Sequence, residues 1–324
     1  MKKSYSFILA LAFVFAATTV FAQGFTFRVL ANKGTNQVKK AGAATATPLR
    51  TGATLAAGDE LIAGNGAYIG LMHKTGKTTE VRTAGTQKVA DLEKALLAKN
   101  TSVTSKYAAY IASKMNDDGN KTRAQRMNAT GAVSRAVGDA AINVMLPTEN
   151  IDVLGDHAVI RWEAPEGAEE GTIYVVSVQN IFDEVIFEDE TDQTLIDLDF
   201  TQEALAMESL YILSVKVKGD EEVSAGPYGI KKVAPGDMTE VEESFQGLQG
   251  EISDDSPLNK LVYASFFQDN GLILDALTKY EEAIEMSPEV EDFQALYDDF
   301  LIVNGLKADP NTAEEGAPEK EDGQ

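Results

Sequence analysis

The spacing of hydrophobic residues changes twice along the first part of this chain of 324 residues. In residues 23–86, hydrophobic and polar residues alternate in short runs, such as 25–30 and 68–72, with glycine and threonine between them. A period of two is typical of β-strands, so we expect a β-rich module here. In residues 87–116 hydrophobic residues recur every three or four positions, which predicts a helical appendage of two short helices. Residues 117–139 are polar and contain few large apolar side chains, which predicts a linker.

Strand-like runs separated by turn residues follow between residues 140 and 234. They lie at 141–146, 157–162, 173–179, 184–187, 194–198, 210–217 and 228–233. Short strands at this spacing favour an immunoglobulin-like β-sandwich. Trp162 is the single tryptophan of the chain. We expect its ring to lie between the two sheets, with Tyr174 and Tyr211 on neighbouring strands.

Residues 235–306 return to helical spacing, so the expected fold class is multidomain and mixed. Two helices within 257–288 are predicted to pack antiparallel, because small residues occur where the helices would touch and aromatic residues where a groove must be filled. These residues are Ala264, Phe267, Gly271, Ala276, Tyr280, Ala283 and Pro288. A third helix, which contains Phe293 and Leu301, is predicted to end before Gly305. Three helices alone bury too few apolar residues to form a core of their own. We therefore expect either that residues 241–252 add a flanking helix or that the helical pair packs on the sandwich.

Residues 49–81 carry the first of three family resemblances. The stretch contains a Gly-Asp step at Gly58 and Asp59, an apolar pair at Leu61 and Ile62, and then a strand-like run and a glycine turn. In this it resembles the FecR-type domain of bacterial envelope sensors. We find no counterpart of that family's transmembrane segment or cytoplasmic anti-sigma part. The resemblance therefore implies a β-rich adaptor module rather than sigma-factor signalling.

The other two resemblances concern the sandwich and the helices. Residues 140–234 are similar to a fibronectin type III domain, because Trp162 precedes a proline turn and Tyr174 opens the next strand. Residues 257–304 resemble a tetratricopeptide repeat, a family whose units are platforms for protein binding. By this analogy the first helix of the unit lines the binding groove. The resemblance implies that a partner protein contacts the residues Asn259, Lys260, Tyr263, Phe266 and Asn270.

The two ends of the chain predict export and disorder. Lys2 and Lys3 precede an apolar run at 7–20, and small residues mark a cleavage site after Ala22, so residues 1–22 indicate a secretory signal peptide. An uncleaved membrane anchor is the alternative, but after cleavage we expect no stable membrane insertion. Residues 307–324 are acidic and poor in apolar residues, which predicts a disordered tail. We expect an exported protein, periplasmic in the first place, with the cell surface or the exterior as alternatives.

Charge and composition exclude some classes of partner and some kinds of site. Residues 23–138 contain 17 Lys and Arg against 7 Asp and Glu, whereas residues 139–324 contain 9 against 44. Because the acidic part would repel phosphate and the basic residues are scattered, we expect no nucleic-acid partner. The chain contains no cysteine, which excludes disulfides, lipid anchors on cysteine and zinc sites built on thiolates.

Few residues of this chain are candidates for catalysis. The two histidines, His73 and His157, lie in strand-like runs without a carboxylate at ligand spacing, so we expect structural roles at the surface. The glycines at 64–66 lack the Gly-Lys-Ser/Thr ending of a phosphate-binding loop. The acidic runs at 117–120 and 188–192 leave calcium binding open, although neither has the ligand alternation of a known loop. We therefore expect no catalytic residues, no cofactor and no metal.

These observations favour a non-enzymatic scaffold or adaptor that binds other proteins of the bacterial cell envelope. A periplasmic hydrolase or a carbohydrate-binding protein that uses the sandwich is the alternative. For the helical pair at 257–304 a second alternative stays open, in which the pair supports the sandwich and binds no partner. An enzyme requires convergent titratable groups in one pocket, whereas an adaptor requires an exposed apolar surface.

Overall fold

The structure, a computed structural model, describes residues 25–98, 105–115, 142–147, 151–252 and 255–307. The chain has a mixed α/β architecture: antiparallel sheets at the N-terminus, further sheets in the centre and packed helices at the C-terminus. At this level the predicted fold class is confirmed. The predicted signal peptide, the linker and nearly all of the predicted acidic tail lie outside the described residues.

The N-terminal β domain contains two antiparallel sheets of four strands each. Its strands are β1 (Phe27–Lys33), β2 (Gln37–Lys39), β3 (Thr47–Pro48), β4 (Thr54–Leu55), β5 (Glu60–Ala63), β6 (Tyr68–His73), β7 (Thr78–Val81) and β8 (Gly85–Lys88). The strand orders are β4-β1-β6-β7 and β3-β2-β5-β8. Inward residues of both sheets, among them Phe27, Leu61 and Ile69, form one hydrophobic cluster.

Asp59, from the Gly-Asp step of the FecR-like stretch, stabilises the turn before β5. Its buried carboxylate accepts hydrogen bonds from the backbone N–H of Ala56 at 2.8 Å and of Ala41 at 3.0 Å, and from Lys40 Nζ at 2.8 Å. Burial alone would raise its pKa, but these donors lower it. The aspartate thus holds two distant turns together, which gives the motif a structural role in this chain.

Two helices follow the N-terminal sheets, in the region where helical spacing predicts them. The first, α1 (Val89–Leu97), contributes Val89 and Leu96 to the core of the N-terminal β domain. The second, α2 (Ser105–Met115), instead packs against the C-terminal helices: the ring of Tyr107 meets that of Phe266 edge to face at 5.5 Å.

The central β domain contains a five-stranded and a three-stranded sheet, in the orders β10-β16-β15-β12-β13 and β14-β11-β9. One short helix, α3 (Glu203–Ala206), precedes β15. The strands are β9 (Asn143–Val144), β10 (Ile151–Val153), β11 (His157–Glu163), β12 (Tyr174–Gln179), β13 (Val185–Thr191), β14 (Leu195–Asp199), β15 (Leu210–Val217) and β16 (Asp220–Lys232). Inward residues of both sheets share one hydrophobic cluster.

Trp162 lies in this cluster with 1 % of its surface exposed, as its size predicts. Its ring meets that of Tyr174 edge to face at 5.4 Å, and Tyr211 belongs to the same cluster. Three details of the strand predictions were wrong. The sequence spacing missed the three-residue strand β10, ended β13 four residues early, and began β16 at Tyr228 instead of Asp220.

Four helices form the C-terminal part of the described chain. They are α4 (Thr239–Glu251), α5 (Pro257–Asp269), α6 (Ile273–Met286) and α7 (Glu291–Val303). Ser256 caps α5 by accepting a hydrogen bond from the backbone N–H of Asn259 at 3.2 Å. Gly271 adopts the left-handed conformation (φ 76°) that the tight turn into α6 requires. The two predicted ways of completing the helical core both occur: α4 adds a flanking helix, and α6 contacts the central β domain.

The C-terminal helices join the two β domains through one hydrophobic cluster. This cluster contains Leu30 and Tyr68 from the N-terminal sheets, Val159 from β11, and inward residues of α2 and α4–α7. Helix α5 is buried at every position from Pro257 to Phe267, so it is the central element of this cluster. The helices therefore hold both β domains against one core.

Candidate functional site

Helix α6 meets the central β domain along a row of polar residues, which we call the α6 interface. Its members are Asp275, Thr278, Glu281 and Glu282. Their spacing of three or four places them on one side of the helix. They face β11 and the loop before it, which lie more than one hundred residues earlier in the chain. Two of its carboxylates, those of Asp275 and Glu282, have strongly shifted pKa values.

Asp275 anchors the N-terminal end of the α6 interface. Its carboxylate is 2 % exposed and accepts hydrogen bonds from the backbone N–H of Leu154 at 3.0 Å and of Gly155 at 2.6 Å. A Cβ at position 155 would lie 2.9 Å from the carboxylate oxygen, so a side chain there would displace Asp275. Burial raises the pKa of Asp275 to about 6, even though the two backbone donors oppose this shift. The buried carboxylate thus binds backbone groups of the central domain.

Thr278 and Glu281 continue the interface along β11. The hydroxyl of Thr278 accepts a hydrogen bond from the backbone N–H of Val159 at 3.0 Å. Glu281 forms a two-point ion pair with Arg161, in which Nη2 donates to Oε2 at 2.7 Å and Nε donates to Oε1. The hydroxyl of Tyr297 on α7 also donates to Glu281 Oε1. Because Glu281 and Tyr297 are buried, this cluster fixes α6, α7 and β11 relative to one another.

His157 and Glu282 form the C-terminal end of the α6 interface. His157 Nε2 lies 3.0 Å from Glu282 Oε1, and Nδ1 lies 3.0 Å from Asp197 Oδ1. Both ring nitrogens face carboxylates, which is the arrangement of a protonated imidazole. Hydrogen bonds to Asp197 and Glu282 raise the pKa of His157 to about 9. Burial opposes ionisation of Glu282, but the hydrogen bond from His157 and the charges of Lys279 and Lys260 lower its pKa to about 2.

The raised pKa of His157 predicts a loss of stability at alkaline pH. Its stabilising contribution is complete below the unfolded value of about 6.5 and disappears as pH rises through about 9. Since the side chain is 35 % exposed and solvent screens its ion pairs, we expect the loss to be about 1 kcal/mol. The groups that face it are Asp197, Glu282 and, with opposing sign, Lys279.

Urea unfolding from pH about 6 to about 9 measures this loss. We expect the His157→Gln variant to be less stable than the parent at pH 6 and to approach the parent at pH 9. A parent protein whose free energy of unfolding changes with pH just as the variant's does would contradict the role given to His157.

A second interface connects α5 to the N-terminal β domain, centred on Glu80 of β7. Glu80 Oε1 accepts hydrogen bonds from Tyr68 OH at 2.7 Å, from the hydroxyl of Ser256 at 2.5 Å and from the backbone N–H of Leu258 at 3.3 Å. Nearby, Thr78 Oγ1 donates to Asn259 Oδ1 at 2.8 Å. A carboxylate at the first turn of α5 complements the helix dipole. The N-terminal domain therefore caps α5 directly.

The five residues predicted to bind a partner lie mostly inside the molecule. Asn259, Lys260, Tyr263 and Phe266 are buried, and Asn270 is partly exposed at the end of α5. Asn259 faces Thr78 of the N-terminal domain and Lys260 pairs with Glu282 of α6. Tyr263 donates to the carbonyl of Ile252 at 2.8 Å. The structure thus buries four of them in contacts within the chain, and the role of all five in binding a second protein stays a prediction.

The histidine predictions need correction. Both histidines do have carboxylate partners, and His73 lies inside the N-terminal domain rather than at the surface. His73 Nε2 lies 3.2 Å from Glu93 Oε1, and Nδ1 lies 2.7 Å from the hydroxyl of Thr75. These carboxylates come from elements 20 or more residues away, as do Asp197 and Glu282 around His157. Spacing along the chain could not reveal them.

The two acidic runs are the candidate calcium sites of the sequence. The run at 188–192 lies at the end of the edge strand β13 and in the turn that follows it. The run at 117–120 lies outside the described residues. Within the described ranges, no three His, Cys, Asp or Glu side chains come close enough to hold a metal ion. In the same part of the chain, no helix is both long enough and apolar enough to cross a membrane.

Comparison with known proteins adds no family assignment. No protein-family model matches the chain, and no curated protein matches it at a significant level.

Proposed function

We propose that this protein is an exported, non-enzymatic scaffold of the bacterial cell envelope that binds other envelope proteins. The proposal rests on the contacts of four buried or partly buried carboxylates. Asp275, Glu281 and Glu282 bind the chain's own central domain, and Glu80 binds the start of α5. Groups with shifted pKa values at a catalytic site would instead converge on a pocket open to substrate.

The proposal includes finer assignments of the three parts. We assign residues 49–81 to a FecR-like module, residues 140–234 to a fibronectin type III-like sandwich, and residues 257–304 to a tetratricopeptide-like helical pair with a third helix. The shared core of the two central sheets around Trp162 supports the second assignment. The short turn at Gly271 between the paired helices α5 and α6 supports the third.

Domains that are fixed relative to one another suit the function of a scaffold. The two interfaces of the C-terminal helices fix the position of each β domain, so surfaces on different domains keep a constant separation. Preorganised surfaces lose less conformational entropy on binding than flexible ones. The signal peptide and the envelope location belong to this proposal on the sequence pattern alone.

Affinity capture tests the proposal. The mature chain, immobilised and exposed to solubilised envelope proteins, should retain one or a few proteins in proportion to the bait, as measured by mass spectrometry. An unrelated exported protein of similar acidity is the control, since a strong negative charge alone binds basic proteins. Retention of the same proteins by both baits would contradict a specific scaffold role.

Carbohydrate binding by the central domain is the second candidate, and one pocket favours it. This pocket, of about 360 Å³, lies beside β10 and β16 and combines Tyr228 with Asp152 and Lys231. Aromatic and polar side chains that line one pocket are a common arrangement for small ligands. Titration with soluble envelope polysaccharides tests this candidate: saturable binding that Tyr228→Ala abolishes would favour it over the scaffold role.

A further inference from the structure

Exposed hydrophobic side chains concentrate at one end of the central β domain. Of the eight large hydrophobic residues that are exposed within the described chain, five fall in a stretch of thirty residues. Phe182 is 74 % exposed and Met207 is 86 % exposed. We call this set the apolar tip; its members are Ile181, Phe182, Val185, Met207 and Leu210.

The strand register brings the members of the apolar tip together. Gln179 pairs with Val185 on one side and with Ile212 on the other. Leu210, two residues before Ile212, therefore lies beside the turn that carries Ile181 and Phe182. Leu210 alternates with the core residues Tyr211 and Leu213, so it points to the outer face of the sheet. Helix α3, which ends just before Met207, contacts β13.

The turn that presents Phe182 is held in one conformation by Asn180. The buried side-chain oxygen of Asn180 accepts hydrogen bonds from the backbone N–H of Phe182 at 2.9 Å and of Glu184 at 3.1 Å. Its Nδ2 donates to Glu184 Oε2 at 2.9 Å. Between them Asp183 adopts a left-handed conformation (φ 61°), which aspartate tolerates better than most residues. The exposed phenylalanine is thus preorganised, which reduces the entropy lost on binding.

The charge around the apolar tip limits the kind of partner that can bind to it. Residues 181–210 contain ten Asp and Glu and no Lys, Arg or His. Two of these carboxylates pair with basic side chains elsewhere in the domain: Asp197 faces His157, and Glu190 binds Lys218. The rest, among them Asp183 and Glu184 in the turn itself, outnumber Lys231, which lies across from Leu210 on β16, so the region has a net negative potential. The apolar tip of a second copy or an anionic membrane would bring like charges together, and both contacts are disfavoured.

We propose that the apolar tip is a docking site for a positively charged segment of a partner protein that carries aliphatic or aromatic side chains between lysines or arginines. This inference rests on the proposed scaffold function and names the chemistry of its partner. Exposed apolar groups rimmed by charge mark interaction surfaces more often than isolated apolar residues do. The phenylalanine and its neighbours supply the apolar contact, and the acidic rim attracts and orients the basic segment.

Three labelled peptides of about ten residues test this chemistry against the full mature chain. One alternates lysine with leucine, the second alternates lysine with serine, and the third alternates glutamate with leucine. Fluorescence anisotropy should detect saturable binding of the lysine–leucine peptide, weaker binding of the lysine–serine peptide and none of the glutamate–leucine peptide. Binding of the first peptide should weaken as salt increases, because the acidic rim contributes through screened charges.

Substitutions in the protein locate the site. Phe182→Ser should weaken binding of the lysine–leucine peptide about tenfold or more. Met286→Ser is the matched control, since Met286 is also exposed but lies at the end of α6, and it should leave the affinity unchanged. Circular dichroism establishes that both variants fold. Equal affinity of the parent and Phe182→Ser, or equal binding of all three peptides, would overturn the proposal.

Two further outcomes separate this inference from the proposed function. Dimerisation of the parent that Phe182→Ser abolishes, as measured by sedimentation velocity, would assign the apolar tip to a second copy and overturn the proposal. Specific capture of the same envelope proteins by the parent and by Phe182→Ser would also overturn it, yet the scaffold function would stand. Specific capture by the parent alone, together with the peptide result, would support both.

Discussion

Replacing Trp162 with alanine is expected to lower the free energy of unfolding by about 4 kcal/mol. The ring lies between the two central sheets, is 1 % exposed and meets Tyr174 edge to face. Removing it leaves a cavity that strands on both sides cannot close without losing their own pairing. Because the variant contains no tryptophan, urea unfolding should be followed by circular dichroism.

Trp162→Phe is the control for this prediction. The indole Nε1 is buried and has no hydrogen-bond partner among the described residues. Its removal therefore costs no hydrogen bond, and the phenylalanine variant should lose only about 1–2 kcal/mol, from lost volume. In the parent protein the single tryptophan should emit at short wavelength when folded and shift to the red in urea. A red-shifted native spectrum that urea leaves unchanged would contradict the burial of Trp162.

The sequence was most informative where one side of an element meets a single core. The strand at 157–162 and the helix around Phe293 were predicted within a few residues, because period two and period 3.6 record which positions are buried. Strand β10 was missed because it has only three residues and pairs in parallel with β16, about eighty positions later. A strand of three residues is too short to show a period of two, and its partner is too distant in the sequence to be recognised.

The placement of α5 shows a second limit of sequence patterns. Asn259 and Lys260 were assigned to a binding groove because residues 257–304 resemble a tetratricopeptide repeat, in which the first helix lines the groove. In the fold they are buried, since Thr78 and Glu282 supply polar partners from distant elements. A buried polar residue is stable when such partners exist, and no spacing along the chain reveals them. The apolar tip was not predicted, because its residues are divided between two predicted strands and the loops beside them, and only the fold brings them together.

Replacing Glu281 with alanine is expected to destabilise the protein by about 3 kcal/mol. The substitution leaves the guanidinium of Arg161 and the hydroxyl of Tyr297 without the carboxylate that both contact. An unpaired buried donor costs its full desolvation energy, which exceeds the net contribution of the hydrogen bond that it loses. Glu285→Ala is the matched control: the same substitution in the same helix at an exposed position should change stability by about 0.5 kcal/mol or less.

A double variant separates the contribution of the Arg161–Glu281 ion pair to stability from the contribution of side-chain packing. Arg161→Met combined with Glu281→Leu replaces the buried pair by apolar side chains, so it should recover most of the stability that Glu281→Ala loses. The interaction energy between the two positions, obtained from the single and double variants by urea unfolding, should then exceed about 1 kcal/mol. If Glu281→Ala proved no more destabilising than Glu285→Ala, the α6 interface would not hold α6 against β11, and the joined body on which the scaffold proposal depends would be lost.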